Sequence, residues 1–217
     1  VAEKMGEEYL KPVLQVCDSF DEIDSNKLPN SFVIKCNHGC KWQYIIKNKK
    51  AYLNNKKLVE ITKRQITSWL SQEFWAFGGF EMQYHNIEAK LIIEPLMRNK
   101  IDVSEVELSV FCFNSNPKYI IKKHKGVHAV SIYDEEFNYV NNDFGMKEQV
   151  LNIPPDKFIK QAFDLSKKLS KNFIFVRVDW MIFNNELYFE ELTFTPHSGF
   201  HYLKNNIELG KLLDLER

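Results

Sequence analysis

The strongest constraint on this chain lies near its end. Two alternating segments, Phe175-Val176-Arg177-Val178-Asp179-Trp180-Met181 and Leu187-Tyr188-Phe189-Glu190-Glu191-Leu192-Thr193, flank Asn184-Asn185. Each segment reads as a strand and the asparagine pair as a hairpin turn. Side chains alternate along a strand, so Arg177 and Asp179 share one face, as do Glu191 and Thr193 on the partner. Directly opposed side chains stand about 5 Å apart. Two carboxylates that close, beside an arginine, suit a hard cation whose shell is completed by water and a substrate's phosphates. The same spacing fits a half-buried hairpin in which Arg177 simply neutralises Asp179 or Glu191. Spacing alone leaves both open.

Charge and length narrow the field. Lys+Arg and Asp+Glu are equal at 29 each, so no net charge draws the chain to nucleic acid or an anionic membrane. With 217 residues and 44% hydrophobic content, it can bury a core as one large domain or two small lobes. No run approaches the roughly 18 apolar residues of a membrane span. Residues 1–8 lack the apolar centre of a signal peptide, so a cytoplasmic protein is expected. The chain opens on what reads as the middle of a helix, without an initiating methionine, and is expected to continue N-terminally.

Thiol and imidazole chemistry fit poorly. Cys17, Cys36, Cys40 and Cys112 are too few and too scattered for a disulfide framework. Cys36-Asn37-His38-Gly39-Cys40 has no second Cys/His pair at a distance that would complete four zinc ligands. His124 and His128, like His197 and His201, are four apart, but Gly126 and Ser198-Gly199 argue against continuous helix. No HExxH glutamate accompanies them.

Elsewhere the pattern alternates between strand and helix. Lys11 to Asp24 reads as a short extended piece, followed by a polar linker, Asp24 to Asn30. Strands are expected at Phe32–Lys35, around Trp42–Ile46 with polar Lys47–Lys50 at its end, and at Lys90–Glu94. Apolar spacing predicts an amphipathic helix from Ile61 to Phe77, stopped by Gly78-Gly79. Glu107–Phe113 and Lys118–Lys122 read as a hairpin turning at Asn114-Ser115-Asn116-Pro117. Pro154-Pro155-Asp156 opens a second helix with Phe158, Ile159, Ala162, Phe163, Leu165 and Leu169 on its apolar side.

Three features bear on nucleotide binding. Lys35 ends an apolar strand beside a loop, Cys36 to Lys41, in which Gly39 permits close backbone approach to a phosphate. The loop does not fit GxxxxGK[ST], which excludes a P-loop, and a solvated lysine fits the position as well. Ile92-Ile93-Glu94-Pro95-Leu96-Met97 is a strand that breaks at proline, where a released main chain can meet an adenine edge with Leu96 or Met97 against the ring. Glu107 begins a strand and can accept from ribose hydroxyls, though it can equally be solvated.

Taken in order, these residues resemble the ATP-grasp pattern: Lys35, Glu94, Glu107, Arg177-x-Asp179, Glu191-x-Thr193, then Pro196 and Ser198-Gly199. Leu28 to Gly39, Val176-Arg177-Val178-Asp179 and Glu191-Leu192-Thr193-Phe194-Thr195-Pro196-His197-Ser198-Gly199 more narrowly resemble the TupA-like ATP-grasp branch of bacterial polysaccharide gene clusters. The resemblance implies an α+β fold of two lobes whose antiparallel sheets sandwich ATP. Residues 1–28 would be a remnant of the N-terminal region and linker, 29–95 a small lobe and 96–217 a large lobe with the metal site, the rest of the N-terminal lobe lying before Val1. It places Lys35 and the His38-Gly39 loop on the phosphates, Glu94, Leu96 and Met97 around adenine, and Glu107 on the ribose. Asp179, Glu191 and Thr193 would hold Mg2+, with Thr193 where many members have asparagine, and Arg177 would be catalytic.

The loop reads Gly39-Cys40-Lys41 in place of the family's usual Gly-Ser-Gly. Glu107-Leu108-Ser109-Val110 replaces Asp-Tyr-Lys-Phe, so one expected lysine is absent. The implied activity is an ATP- and Mg2+-dependent carboxylate–amine ligase, passing through an acyl phosphate on a carboxylate-bearing sugar or amino acid of a surface polysaccharide. A glycosyltransferase predicts an Asp-x-Asp motif, which does not occur. A glycosyltransferase of capsule or O-antigen synthesis and a non-catalytic nucleotide-binding protein are the two alternatives, the latter suggested by the missing lysine and by Thr193.

Overall fold

Alternating apolar segments build two separate sheets, and the chain divides with them into Pro12–Met97 and a second unit of Val1–Lys11 with Arg98–Arg217. The computed structural model describes residues 1–77, 81–97, 106–124, 129–140, 149–199, 206–213 and 215. Gly78-Gly79, Gly126, His128 and His201 lie outside these, as do the side chains of His124 and His197. The first helical turn, α1 (Ala2–Met5), and a 3-10 turn at Glu7–Tyr9 belong to the second unit.

In Pro12–Met97, strands β1 (Gln15–Cys17), β2 (Phe32–Cys36), β3 (Gln43–Ile46) and β4 (Leu91–Pro95) form a four-stranded antiparallel sheet in the order β1-β4-β2-β3. Between β1 and β2 the chain makes two 3-10 turns, Phe20–Glu22 and Ser25–Lys27. The helix expected from Ile61 to Phe77 is two pieces, α3 (Lys56–Leu70) and α4 (Phe74–Phe77), and a separate helix that the sequence reading did not expect, α2 (Lys49–Asn54), precedes them. Asparagine caps fix the starts of α2 and α3. Asn48 Oδ1 accepts from the Ala51 N–H at 2.9 Å and Asn55 Oδ1 from the Leu58 N–H at 3.0 Å, satisfying donors a helix start leaves open. One sheet face packs Phe32, Ile34, Cys36, Ile46, Leu91 and Ile93 against Tyr52 and Ile66 of the helices. The opposite face carries Val16, Val33, Lys35, Ile45, Ile92 and Glu94 by strand alternation.

In the second unit, β5 (Val106–Phe113), β6 (Asn116–His124), β7 (Ala129–Asp134), β8 (Gln149–Val150), β9 (Phe175–Phe183) and β10 (Glu186–Thr193) assemble in the order β10-β9-β5-β6-β7-β8. All pairings are antiparallel except β7 with β8. Strand β7 escapes a period-two reading because Ala129 through Tyr133 are all buried, so no alternation marks it. Helix α5 (Lys157–Leu169) begins as the sequence predicts: Asp156 caps it, accepting from the N–H groups of Phe158 (2.9 Å) and Ile159 (3.2 Å). Its apolar side packs on Leu108, Val110, Ile120, Tyr133, Val176, Val178 and Trp180. The opposite sheet face is apolar at Phe111, Phe113, Ile121, Val130 and Ile132, where Leu209 of α6 (Asn206–Gly210) joins them. Together the two sheets and their helices make an α+β fold.

The assignment of faces in the first sheet predicts unequal costs for neighbouring residues. Ile93 is 0% exposed in the core, so Ile93→Ala should destabilise the protein by about 2–5 kcal/mol in urea unfolding. Ile92→Ala, on the other face, should cost less than about 1.5 kcal/mol. Equal losses would place the core on the wrong side.

Candidate functional site

The expected hairpin forms with its turn at Asn184 (φ 49) and Asn185 (φ 63), the doubly left-handed backbone whose twist matches antiparallel strands. Simple alternation along β10 nevertheless contains a conflict. Leu187 and Phe189 belong to the core around Trp180, yet Glu191 and Thr193 have the same parity. A β-bulge resolves it. Phe189 stands opposite Trp180 and Glu191 opposite Asp179, so Glu190 is the extra residue between two otherwise regular stretches. Beyond it, Leu192 joins Val178 on the core side. Glu191 and Thr193 are thereby turned to the face of Asp179 and Arg177.

On that face, residues line up across the strands. Glu191, Asp179, Ser109 and Ile121 form one row; Thr193, Arg177, Phe111 and Tyr119 form the next; and Tyr188, Met181, Glu107 and Lys123 form the row on the other side. The face thus brings together Glu107, Arg177, Asp179, Glu191 and Thr193 from the predicted set.

Asp179 is the electrostatic centre of the cluster, being 7% exposed. Arg177 Nε lies 2.9 Å from both Asp179 oxygens and Nη2 lies 2.7 Å from Oδ2. Ser109 Oγ donates to Oδ1 at 2.7 Å. Thr193 Oγ1 is 3.0 Å from Asp179 Oδ2 and 2.9 Å from Glu191 Oε1, so one hydroxyl joins the two carboxylates, donating to one of them at a time. Glu191 is the outer member, with a side chain 57% exposed and Oε1 3.6 Å from Arg177 Nη2. Ser109, which alternation places on the same face as Glu107, is a partner the sequence did not single out. Its small hydroxyl amid apolar neighbours on β5 was the available signal.

The other predicted residues sit in or beside the first unit's sheet, apart from Glu107. Lys35 Nζ binds Glu94 Oε1 at 2.7 Å across β2 and β4. The strand pairing runs through Pro95, and the Leu96 N–H donates to the Ser31 carbonyl at 3.3 Å. Leu96 and Met97 are half-buried. His38 is 5% exposed; its Nε2 is 3.0 Å from the Trp69 carbonyl, so it donates there, and its ring meets Trp42 edge-on at 5.2 Å. Its Nδ1 is buried without a hydrogen-bond partner. Gly39 has a packing reason: a Cβ there would lie 2.5 Å from Trp42 Cε3. Trp42 in turn stacks on Trp69, with centroids 6.0 Å apart. Glu107 Oε2 pairs with Lys123 Nζ at 3.0 Å.

Thiol chemistry has little support here. Burial pushes the Cys36 thiol up to about 11 and the Cys112 thiol up to about 12, so both stay protonated near neutral pH. Among the described residues, no three His, Cys, Asp or Glu side chains gather as a metal-binding group. Asp179 and Glu191, with the Thr193 hydroxyl, are an all-oxygen pair plus one, a donor set that needs water or a bound anion to complete a shell. Among the described residues no helix is long and apolar enough to cross a membrane.

The sequence model of the TupA-like ATPgrasp family matches residues 1–213. A search of curated proteins finds no match. Similar solved structures include D-alanine–D-alanine ligase from Bacillus anthracis complexed with ATP, at 14% identity and a TM-score of 0.45, covering 85% of this chain and 47% of that one. They also include D-alanine–D-alanine ligase from Helicobacter pylori (13%, 0.45, 93% and 55%) and D-cycloserine synthetase (14%, 0.47, 94% and 63%). The chain spans about half the length of the two D-alanine–D-alanine ligases.

The burial of Asp179 generates a test independent of any ligand. Arg177→Met leaves a carboxylate whose side chain is 10% exposed without its counter-ion, and should cost about 3–5 kcal/mol of stability. Arg177→Met combined with Asp179→Asn should recover most of that loss in chemical denaturation. Additive losses would show that the pair is not energetically coupled.

Proposed function

Because the chain belongs to the TupA-like ATP-grasp family, we propose that it is an ATP-dependent ligase joining a carboxylate to an amine through an acyl phosphate. The observation that carries this reading is the gathering of Arg177, Asp179, Glu191 and Thr193 on one sheet face of a chain matched by the family over residues 1–213. The substrate is a carboxylate-bearing sugar or amino acid, and the setting is bacterial surface polysaccharide biosynthesis, acting in the cytoplasm. The family resemblance supports this setting.

The roles follow from charge and position. Lys35 meets a phosphate with its ammonium, and the His38-Gly39 loop lies against the phosphate chain. Glu94, Leu96 and Met97 surround adenine, and Glu107 accepts from the ribose hydroxyls. The oxygen donors of Asp179, Glu191 and Thr193 fit magnesium, a hard cation. Bound there, magnesium would neutralise charge on the phosphates of ATP. Asp179 carries donors from Arg177, Ser109 and Thr193, and with a cation held there Arg177 would balance less of its charge. The guanidinium fork would then be available to an anionic group.

In the reaction, a substrate carboxylate oxygen attacks the γ-phosphorus and the bond to ADP breaks. An amine nitrogen then attacks the acyl carbon, the C–O bond to phosphate breaks, and the amine's proton is lost. Arg177 stabilises the anion that develops in either step, by electrostatics rather than covalent chemistry.

A second reading has one observation in its favour. Ser109 stands where the family pattern has a lysine, and its hydroxyl is engaged by Asp179, which suits a nucleotide-binding protein without turnover. ATP consumption measured with and without a panel of carboxylates and amines decides between the two. Acceptor-dependent release of ADP and phosphate supports the ligase, and tight ATP binding with no turnover supports the alternative.

Two sets of variants test the roles. Lys35→Ala removes a charged hydrogen bond and should weaken ATP binding by about 1.5–3 kcal/mol, whereas Leu96→Ala should weaken it only modestly; calorimetric titration giving the reverse order would contradict the assignment. Arg177→Lys keeps the charge but loses the fork. A large fall in kcat is expected, with ATP affinity within several-fold of the parent, and unchanged kcat would remove Arg177 from the chemistry.

A further inference from the structure

Strand β10 carries two adjacent glutamates, and the bulge decides which of them faces Asp179. With Glu190 as the extra residue, Glu191 stands opposite Asp179. If the extra residue were Glu191 instead, Glu190 would take that place, while Leu187, Phe189, Leu192 and Thr193 would all keep their present faces. The apolar pattern is therefore indifferent between the two arrangements. Strand position does not choose either, because among the described residues β10 is the last strand of its sheet and β9 alone holds its register.

Glu191 meets Thr193 and Arg177 on the shared face, and Glu190 has a partner of its own. Lys11 Nζ binds Glu190 Oε1 at 2.7 Å, with side chains 18% and 28% exposed, so solvent screens the pair less than it would a surface pair. Lys11 is itself held in place. Two residues earlier, Tyr9 meets the Trp180 ring edge-on at 6.4 Å, and its hydroxyl is 3.1 Å from Gln161 Nε2 on α5. Trp180 in turn packs edge-on against Phe189, the residue before the bulge, at 5.9 Å.

We propose that Lys11 is a positioning residue which, by holding Glu190, selects Glu191 as the carboxylate presented to Asp179. The consequence for cation binding rests on the reading that Asp179 and Glu191 hold a divalent ion. Without Lys11, both glutamates would compete for the position.

The test combines a structural and a binding readout on the full chain. Cross-strand NMR contacts should place Glu191 opposite Asp179 in the parent and in Lys11→Arg, and show residue 190 sharing that position in Lys11→Met. Mn2+ titration with a non-hydrolysable ATP analogue supplies the second readout. Glu191→Gln should weaken Mn2+ by at least about tenfold in the parent background, but by about threefold or less with Lys11→Met, where Glu190→Gln should gain an effect. If Lys11→Met keeps Glu191 alone opposite Asp179, or if the two backgrounds respond identically to Glu191→Gln while Asp179→Ala still weakens Mn2+, the proposal is overturned. If the contacts shift but no carboxylate variant, Asp179→Ala included, changes Mn2+ binding, the selection by Lys11 stands and the cation reading falls. Should Lys11→Met not fold, Glu190→Gln breaks the same ion pair: partial contact of residue 190 with Asp179 supports the proposal, and its absence overturns it.

Discussion

A carboxylate with almost no solvent must be surrounded by donors, and Asp179 is that carboxylate. Three strands supply them: Ser109 from β5, Arg177 from β9 and Thr193 from β10. The requirement ties the register of all three strands to one another. A slip of one residue would turn Ser109 or Thr193 to the opposite face and leave Asp179 under-satisfied. The order of the sheet at its β10 end is thus set from both faces, by packing on α5 from one side and by the demands of a buried charge from the other.

The sequence exposed much of this. Alternation and the Asn184-Asn185 turn are local signals, and the hairpin, the shared face of Arg177 with Asp179 and the Asp156 helix start all followed from them. What stayed hidden depended on contacts between distant residues. The bulge at Glu190 reconciles a core shared with Trp180 and a polar cluster shared with Ser109, and Ser109 is far from it in sequence. Asn48 and Asn55 each open a helix ahead of Ile61, where the apolar spacing first shows, so neither start was marked by periodicity. Buried β7 offers no alternation at all.

The loop after β2 shows how one residue type can carry two explanations. Gly39 suits a close approach by phosphate, yet its missing side chain is already matched by the Trp42 ring. His38 likewise ties the end of α3 through Trp69. These contacts fix the loop to the first unit's own aromatic cluster, so a ligand of the loop would meet a preorganised backbone. Preorganisation of this kind lowers the ordering cost of binding.

The bulge in β10 has a consequence beyond the cluster it aims. An outermost strand presents a row of unpaired backbone donors and acceptors along which an extended segment of another molecule can add. Among the described residues β10 borders its sheet, and the irregularity at Glu190 interrupts that row. The kink that turns a carboxylate toward Asp179 is therefore also a break in the template which that border of the sheet would offer another strand.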